Sequence, residues 1–119
     1  MAKLFCIHEI ELFPGVNESE FARFLKQEVY KLYGEAGWKF TLLKGDRGQR
    51  TGKLAMLIEI ESIEQRDHFV PSHNVVSEEA KQWAKDRKEL EDAVTKKLAS
   101  FSPTDIGSHL EYTDYAVVE

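Results

Sequence analysis

The sequence has a single cysteine, three prolines and two methionines in 119 residues. One thiol, Cys6, makes no internal disulfide, and zinc sites built on paired cysteines are excluded. No apolar run approaches the length needed to span a bilayer, so no membrane partner is expected. Positive charge is not in excess: 16 Lys and Arg stand against 21 Asp and Glu, a formal net charge of -5. That balance repels phosphate backbones, so no nucleic-acid partner is expected. Phosphate loops, nucleophile elbows and dinucleotide fingerprints are missing, and no cofactor or metal is expected. Internal repeats and low-complexity stretches are missing too. Met1-Ala2-Lys3-Leu4 runs straight into a strand-like pattern with no signal peptide before it, which sets the expectation of a cytoplasmic protein.

What is present suits a globular chain. Apolar residues make up 42% and charged residues 31%, too apolar a mixture for disorder. The length suits one domain over 1–119, able to bury a core without a staple.

Alternation marks the first strand over Lys3 to Leu12. Leu4, Cys6, His8, Ile10 and Leu12 share one face; Phe5, Ile7, Glu9 and Glu11 share the other. Pro14-Gly15 breaks it. Asn17 and Glu20 form a capping box for a helix carrying Phe21, Phe24, Leu25, Val29 and Leu32, which ends near Gly34. Trp38 to Lys44 and Leu54 to Glu61 read as two strands joined by a polar, glycine-rich hairpin loop. Ser62 and Gln65 cap a short helix that stops before Pro71. Ser77 opens a long helix with the stripe Ala80, Trp83, Ala84, Leu90, Val94 and Leu98. After a loop over Ser102 to Gly107, His109 to Val118 forms the last strand.

The order β-α-β-β-α(α)-β predicts an α+β, ferredoxin-like fold: an antiparallel four-stranded sheet with helices on one face. The helices are expected on the face of Leu4, Ile10, Phe40, Leu42, Met56, Ile58 and Ile60. The opposite face carries Phe5, Ile7, Leu43, Ala55 and Leu57 beside Glu9, Glu11, Lys39, Thr41, Glu59 and Glu61. It is too apolar for bare solvent and too charged for a dry core. A second subunit closing over a partly wet cavity satisfies both, so a homodimer through this face is expected. Phe5, Ile7, Glu11, Thr41 and Leu57 are the expected cavity lining.

The segment Leu57-Ile58-Glu59-Ile60-Glu61-Ser62-Ile63-Glu64-Gln65-Arg66-Asp67-His68-Phe69 resembles part of the antibiotic-biosynthesis-monooxygenase-like group of the dimeric α/β-barrel superfamily. In that group the third strand ends in an acidic-x-Trp-x-Ser pattern, followed by a short helix and a turn containing His. Glu59, Glu61 and Ser62 match it, Ile60 stands at the aromatic position, and His73 falls at the turn. The first strand into Pro14-Gly15 is similar as well, while Asn74 to Phe101 is longer than the usual second helix. The resemblance covers most of the chain in element order, through short motifs. It implies a sheet-face homodimer enclosing a barrel-like cavity. The group includes cofactor-independent oxygenases acting on polycyclic phenols, haem-degrading enzymes and lactone isomerases, so fold alone does not choose among them.

Glu59 and Glu9 are the expected proton-abstracting groups, since a carboxylate in an apolar pocket has a raised pKa. Ion pairing with Lys39, Lys53 or arginines across the dimer interface is the competing reading. His73 is expected at the cavity mouth, as the third catalytic candidate. His8 is expected under the helices as a satisfied core residue, and His109 at a strand end. His68 and His73 are five residues apart, not the i, i+4 spacing of a helical metal pair. The basic hairpin tip of Lys44, Arg47, Arg50 and Lys53 lacks the sheet aromatics of RNA-binding relatives of this topology. The resulting expectation is an oxygenase or isomerase for a small aromatic or apolar molecule. A non-catalytic ligand-binding dimer and a haem-binding protein are the alternatives.

Overall fold

The computed structural model describes residues 3–35, 37–72, 75–103 and 112–118. His73 and His109 lie outside the described residues. The elements run β1 (Leu4–Ile10), α1 (Glu18–Phe24), a π-helical stretch (Leu25–Val29), α2 (Tyr30–Gly34), β2 (Lys39–Lys44), β3 (Leu54–Ile60), α3 (Ile63–Phe69), α4 (Glu78–Asp86), α5 (Lys88–Phe101) and β4 (Tyr112–Ala116). The chain is thus α+β with one open, antiparallel four-stranded sheet in the order β2-β3-β1-β4. That arrangement is compatible with a ferredoxin-like fold. No described helix is long and apolar enough to cross a membrane.

Period-two alternation sorts the strands as expected. Leu4, Cys6, His8 and Ile10 are buried beside Leu54, Met56, Ile58 and Ile60 of β3. Phe21, Phe24, Leu25, Val29 and Leu32 from the first helical run and Val94 and Leu98 from α5 complete this core. Phe101 packs on Phe21 and Phe24 at centroid distances of 5.5 and 5.4 Å.

The expected caps form. Asn17 Oδ1 accepts from Glu20 N, and Ser62 Oγ accepts from Gln65 N. Ser77 Oγ accepts from Ala80 N at 3.0 Å and donates to the His68 carbonyl at 2.8 Å, which ties the start of α4 to the end of α3. A Ser77→Ala variant should lose about 1 kcal/mol of stability, the usual worth of such a cap, as read by urea unfolding.

The structure departs from the sequence reading in two helices. The first contains the π-helical stretch within its run. The long helix expected from Ser77 is broken at Arg87, whose backbone leaves the helical region at φ -117, ψ 20. The Arg87 side chain holds the break. Its guanidinium lies 4.4 Å from the Trp83 ring, donates to the Trp83 carbonyl and pairs with Glu35 at 2.7 Å. A long-range partner thus stabilises an ending that helical periodicity alone does not encode.

Candidate functional site

α3 and α4 contribute no fully buried residue. They roof part of the sheet without filling the space beneath, leaving a chamber of about 290 Å³. Cys6 and His8 of β1, Phe40 of β2, Ile58 and Ile60 of β3, and Tyr112 and Asp114 of β4 form its floor. Arg66 and Phe69 of α3 and Ala80, Trp83 and Ala84 of α4 line it from above, with Val70 and Val76 from the connecting segments. Tyr33, Trp38 and Glu91 complete the walls.

The walls are largely aromatic, and their rings brace one another. Tyr33 stacks on Trp83 at 5.8 Å, and Trp38 meets Phe69 edge-on at 6.1 Å. His8 is 5% exposed and stacks on Tyr112, its partner across the β1–β4 ladder, at 5.5 Å.

Polar groups sit at two places in this apolar surround. At one, the Tyr33 hydroxyl donates to Glu91 Oε1 at 3.1 Å. At the other, Arg66 Nη1 meets Asp114 Oδ2 at 2.7 Å while Arg66 Nε holds Asp67 at 2.8 Å. Asp114 stands opposite Cys6 in the ladder. Burial, together with the hydrogen bond to Asp114, pushes the Cys6 thiol far above its ordinary pKa, so it is a protonated, inert donor. The Trp38 indole nitrogen is shielded from solvent and has no hydrogen-bond acceptor among the described residues.

The described residues expected to line a cavity between two subunits lie away from this chamber. Phe5, Ile7, Glu9, Thr41, Leu57 and Glu59 share the open sheet face, as their alternation requires, and none touches the chamber. Glu59 is ion-paired with Lys3 at 3.1 Å and Glu9 with Arg50 at 3.4 Å, both within the same chain. Glu11 lies beyond the end of β1 and is exposed, and its carbonyl accepts from the Ser102 hydroxyl. The chamber within the single chain exists because its roof is loose. The cavity within the chain opens where α3 and α4 fail to reach the sheet, not on the side they leave bare.

His8 does face the helices as expected, and that face carries the chamber. Sequence reasoning therefore set it aside on a correct orientation. Arg66, Glu91, Tyr33 and Asp114 were not singled out. A signal existed in β1: Cys6 and His8 interrupt the otherwise aliphatic row Leu4, Ile10, and polar groups on a core face need a reason. Among the described residues, no three His, Cys, Asp or Glu side chains gather as a metal site. No protein-family model matches the chain, and no curated protein matches it.

Proposed function

We propose that this protein binds a small, flat, largely apolar molecule in the chamber between the sheet and α3–α4. The carrying observation is the chamber itself: about 290 Å³ and walled by rings. Its volume lies at the small end of ligand pockets, roughly 300–1,000 Å³, which suits one or two rings and not a porphyrin.

Within this reading His8, in the chamber floor, is the candidate proton acceptor. Glu9 and Glu59, paired with Arg50 and Lys3 on the open face, lie outside the chamber. Proton removal from an aromatic hydroxyl or an activated C–H is the first step of the cofactor-independent oxygenation or isomerisation that the antibiotic-biosynthesis-monooxygenase-like resemblance implies. The test is a thermal-shift titration with naphthols and naphthoquinones. A ligand at about 100 times its Kd stabilises by about 2.7 kcal/mol. A saturable rise in Tm is expected; no shift with any member of the panel would sink the reading.

The same reading includes a homodimer through the open sheet face. Its rows run Thr41–Leu57–Ile7–Thr113 and Lys39–Glu59–Phe5–Tyr115, mixing apolar and charged side chains. Leu43 and Tyr115 on this face are 40% and 56% exposed in the single chain. Sedimentation should give a dimer mass. Leu57→Arg should give a folded monomer, because two such charges would meet near the centre of the joint with no partner. A monomer mass for the parent protein refutes this part alone.

A further inference from the structure

The charged side chains of the chamber do not balance. Among the described residues, its carboxylates are Glu91 and Asp114, and Arg66 is the one Lys or Arg facing them. Arg66 is already shared, meeting Asp114 at 2.7 Å and Asp67 at 2.8 Å. Glu91 is left as the chamber carboxylate without a cation. The cations nearest to it along the chain are committed elsewhere: Arg87 to Glu35 at 2.7 Å, and Lys88 to Asp92 at 2.8 Å.

Glu91 stands in the first turn of α5 and is partly buried. Its Oε1 accepts from the Tyr33 hydroxyl at 3.1 Å, which fixes the carboxylate in the chamber wall. Its Oε2 has no partner among the described residues and is not sealed from solvent. A neutral hydroxyl orients a carboxylate but does not offset its charge. The Tyr33 ring in turn packs on Trp83 at 5.8 Å and on Phe40 at 6.1 Å. The charge is therefore set among rings, whose quadrupoles also attract cations. In so apolar a surround, attraction between charges is damped less than in water.

We propose that the chamber's ligand is a cation: a one- or two-ring molecule carrying a protonated amine that donates to Glu91. This rests on the binding reading above and adds the ligand's charge to it. The ammonium sits at the Tyr33–Glu91 wall. The rings lie over the floor row Phe40–Ile58–Cys6, which is in register across β2, β3 and β1. Ring compounds of negative charge are disfavoured, because they meet Glu91 while the guanidinium of Arg66 is already held by two carboxylates.

The probes are three naphthalenes of similar shape and different charge: 2-naphthylmethylamine, protonated at neutral pH, 2-naphthalenemethanol and 2-naphthoate. Calorimetric titration of the parent protein should rank them amine, alcohol, acid. The amine should bind more tightly than the alcohol by roughly tenfold, the margin of a charge-assisted over a neutral hydrogen bond. The alcohol should displace the amine competitively. Glu91→Gln keeps an oxygen that can accept from Tyr33 and removes the charge. In it the amine should fall to the affinity of the alcohol, and the alcohol should bind as before. Raising NaCl from about 0.05 to 1 M should weaken the amine several-fold in the parent and leave the alcohol unchanged.

An amine no tighter than the alcohol overturns the inference and leaves the chamber reading standing. An advantage that survives in Glu91→Gln also overturns it, since that is attraction to the chain's net charge of -5. Should the variant fail to fold, the parent decides: an acid as tight as the amine, or an amine that the alcohol does not displace, overturns the inference. Binding by none of the three sinks both this inference and the reading it rests on.

Discussion

An Ala84→Phe variant should fold as the parent does and lose most of its affinity for ring compounds. Ala84 lines the chamber from α4, a helix that buries none of its residues. A phenyl group added there extends into space that is otherwise empty, so the overpacking cost of about 1–3 kcal/mol met in filled cores does not apply. The ligand loses what the new ring occupies. A one- or two-ring molecule buries about as much as an aromatic side chain, 150–250 Å². At about 25 cal/mol per Å² this is worth roughly 4–6 kcal/mol. Displacing half of it weakens binding by about 2–3 kcal/mol, or roughly 30- to 150-fold in Kd. Calorimetric titration of the tightest ring compound checks the loss, and an unchanged or higher Tm checks the fold. Unchanged affinity would place the ligand outside the chamber.

The largest stability loss is expected on the other side of the core. Phe21 in α1 is 0% exposed and meets the Phe101 ring at the end of α5. Phe21→Ala removes a ring where the first and last helices close on the sheet. Such truncations cost about 3–5 kcal/mol, combining lost transfer energy with the cavity left behind. Domains of this size have about 5–15 kcal/mol in total. The midpoint of thermal unfolding should therefore fall by roughly 10–20 °C, measured by circular dichroism. A drop of only a degree or two would mean that the neighbouring helices close over the gap.

These two sites differ in how far the sequence exposes them. Phe21 belongs to a stripe of apolar residues at helical spacing, and the faces of β1 and β3 follow from alternation. Both are local periodicities, so both were legible. The caps at Asn17, Ser62 and Ser77 were legible for the same reason: each bond spans three residues. The chamber was not. It exists because α3 and α4 stand over the sheet without burying a residue, and no local pattern records how closely one element approaches another. The break at Arg87 rests on Glu35, 52 residues away in sequence, so periodicity read straight through it. Alternation also places Glu9 and Glu59 on one face with apolar residues. Whether a carboxylate stays reactive depends on which cation reaches it, and Lys3 and Arg50 are placed by the fold.

The π-helical stretch at Leu25–Val29 has a consequence for how the chain's length can change. A π turn winds one residue more into a turn than an α turn does, while the helix on either side keeps its direction. The helix therefore carries a surplus residue at that point. Removing Gln27, which is exposed there, lets the turn relax to ordinary winding. Tyr30 and Tyr33 stay against Phe40, and Leu32 stays in the core. The same removal from α1 or α5 would rotate everything after it by about 100°. Shorter and longer versions of this chain can therefore share one chamber wall, provided that the difference in length falls within this one turn.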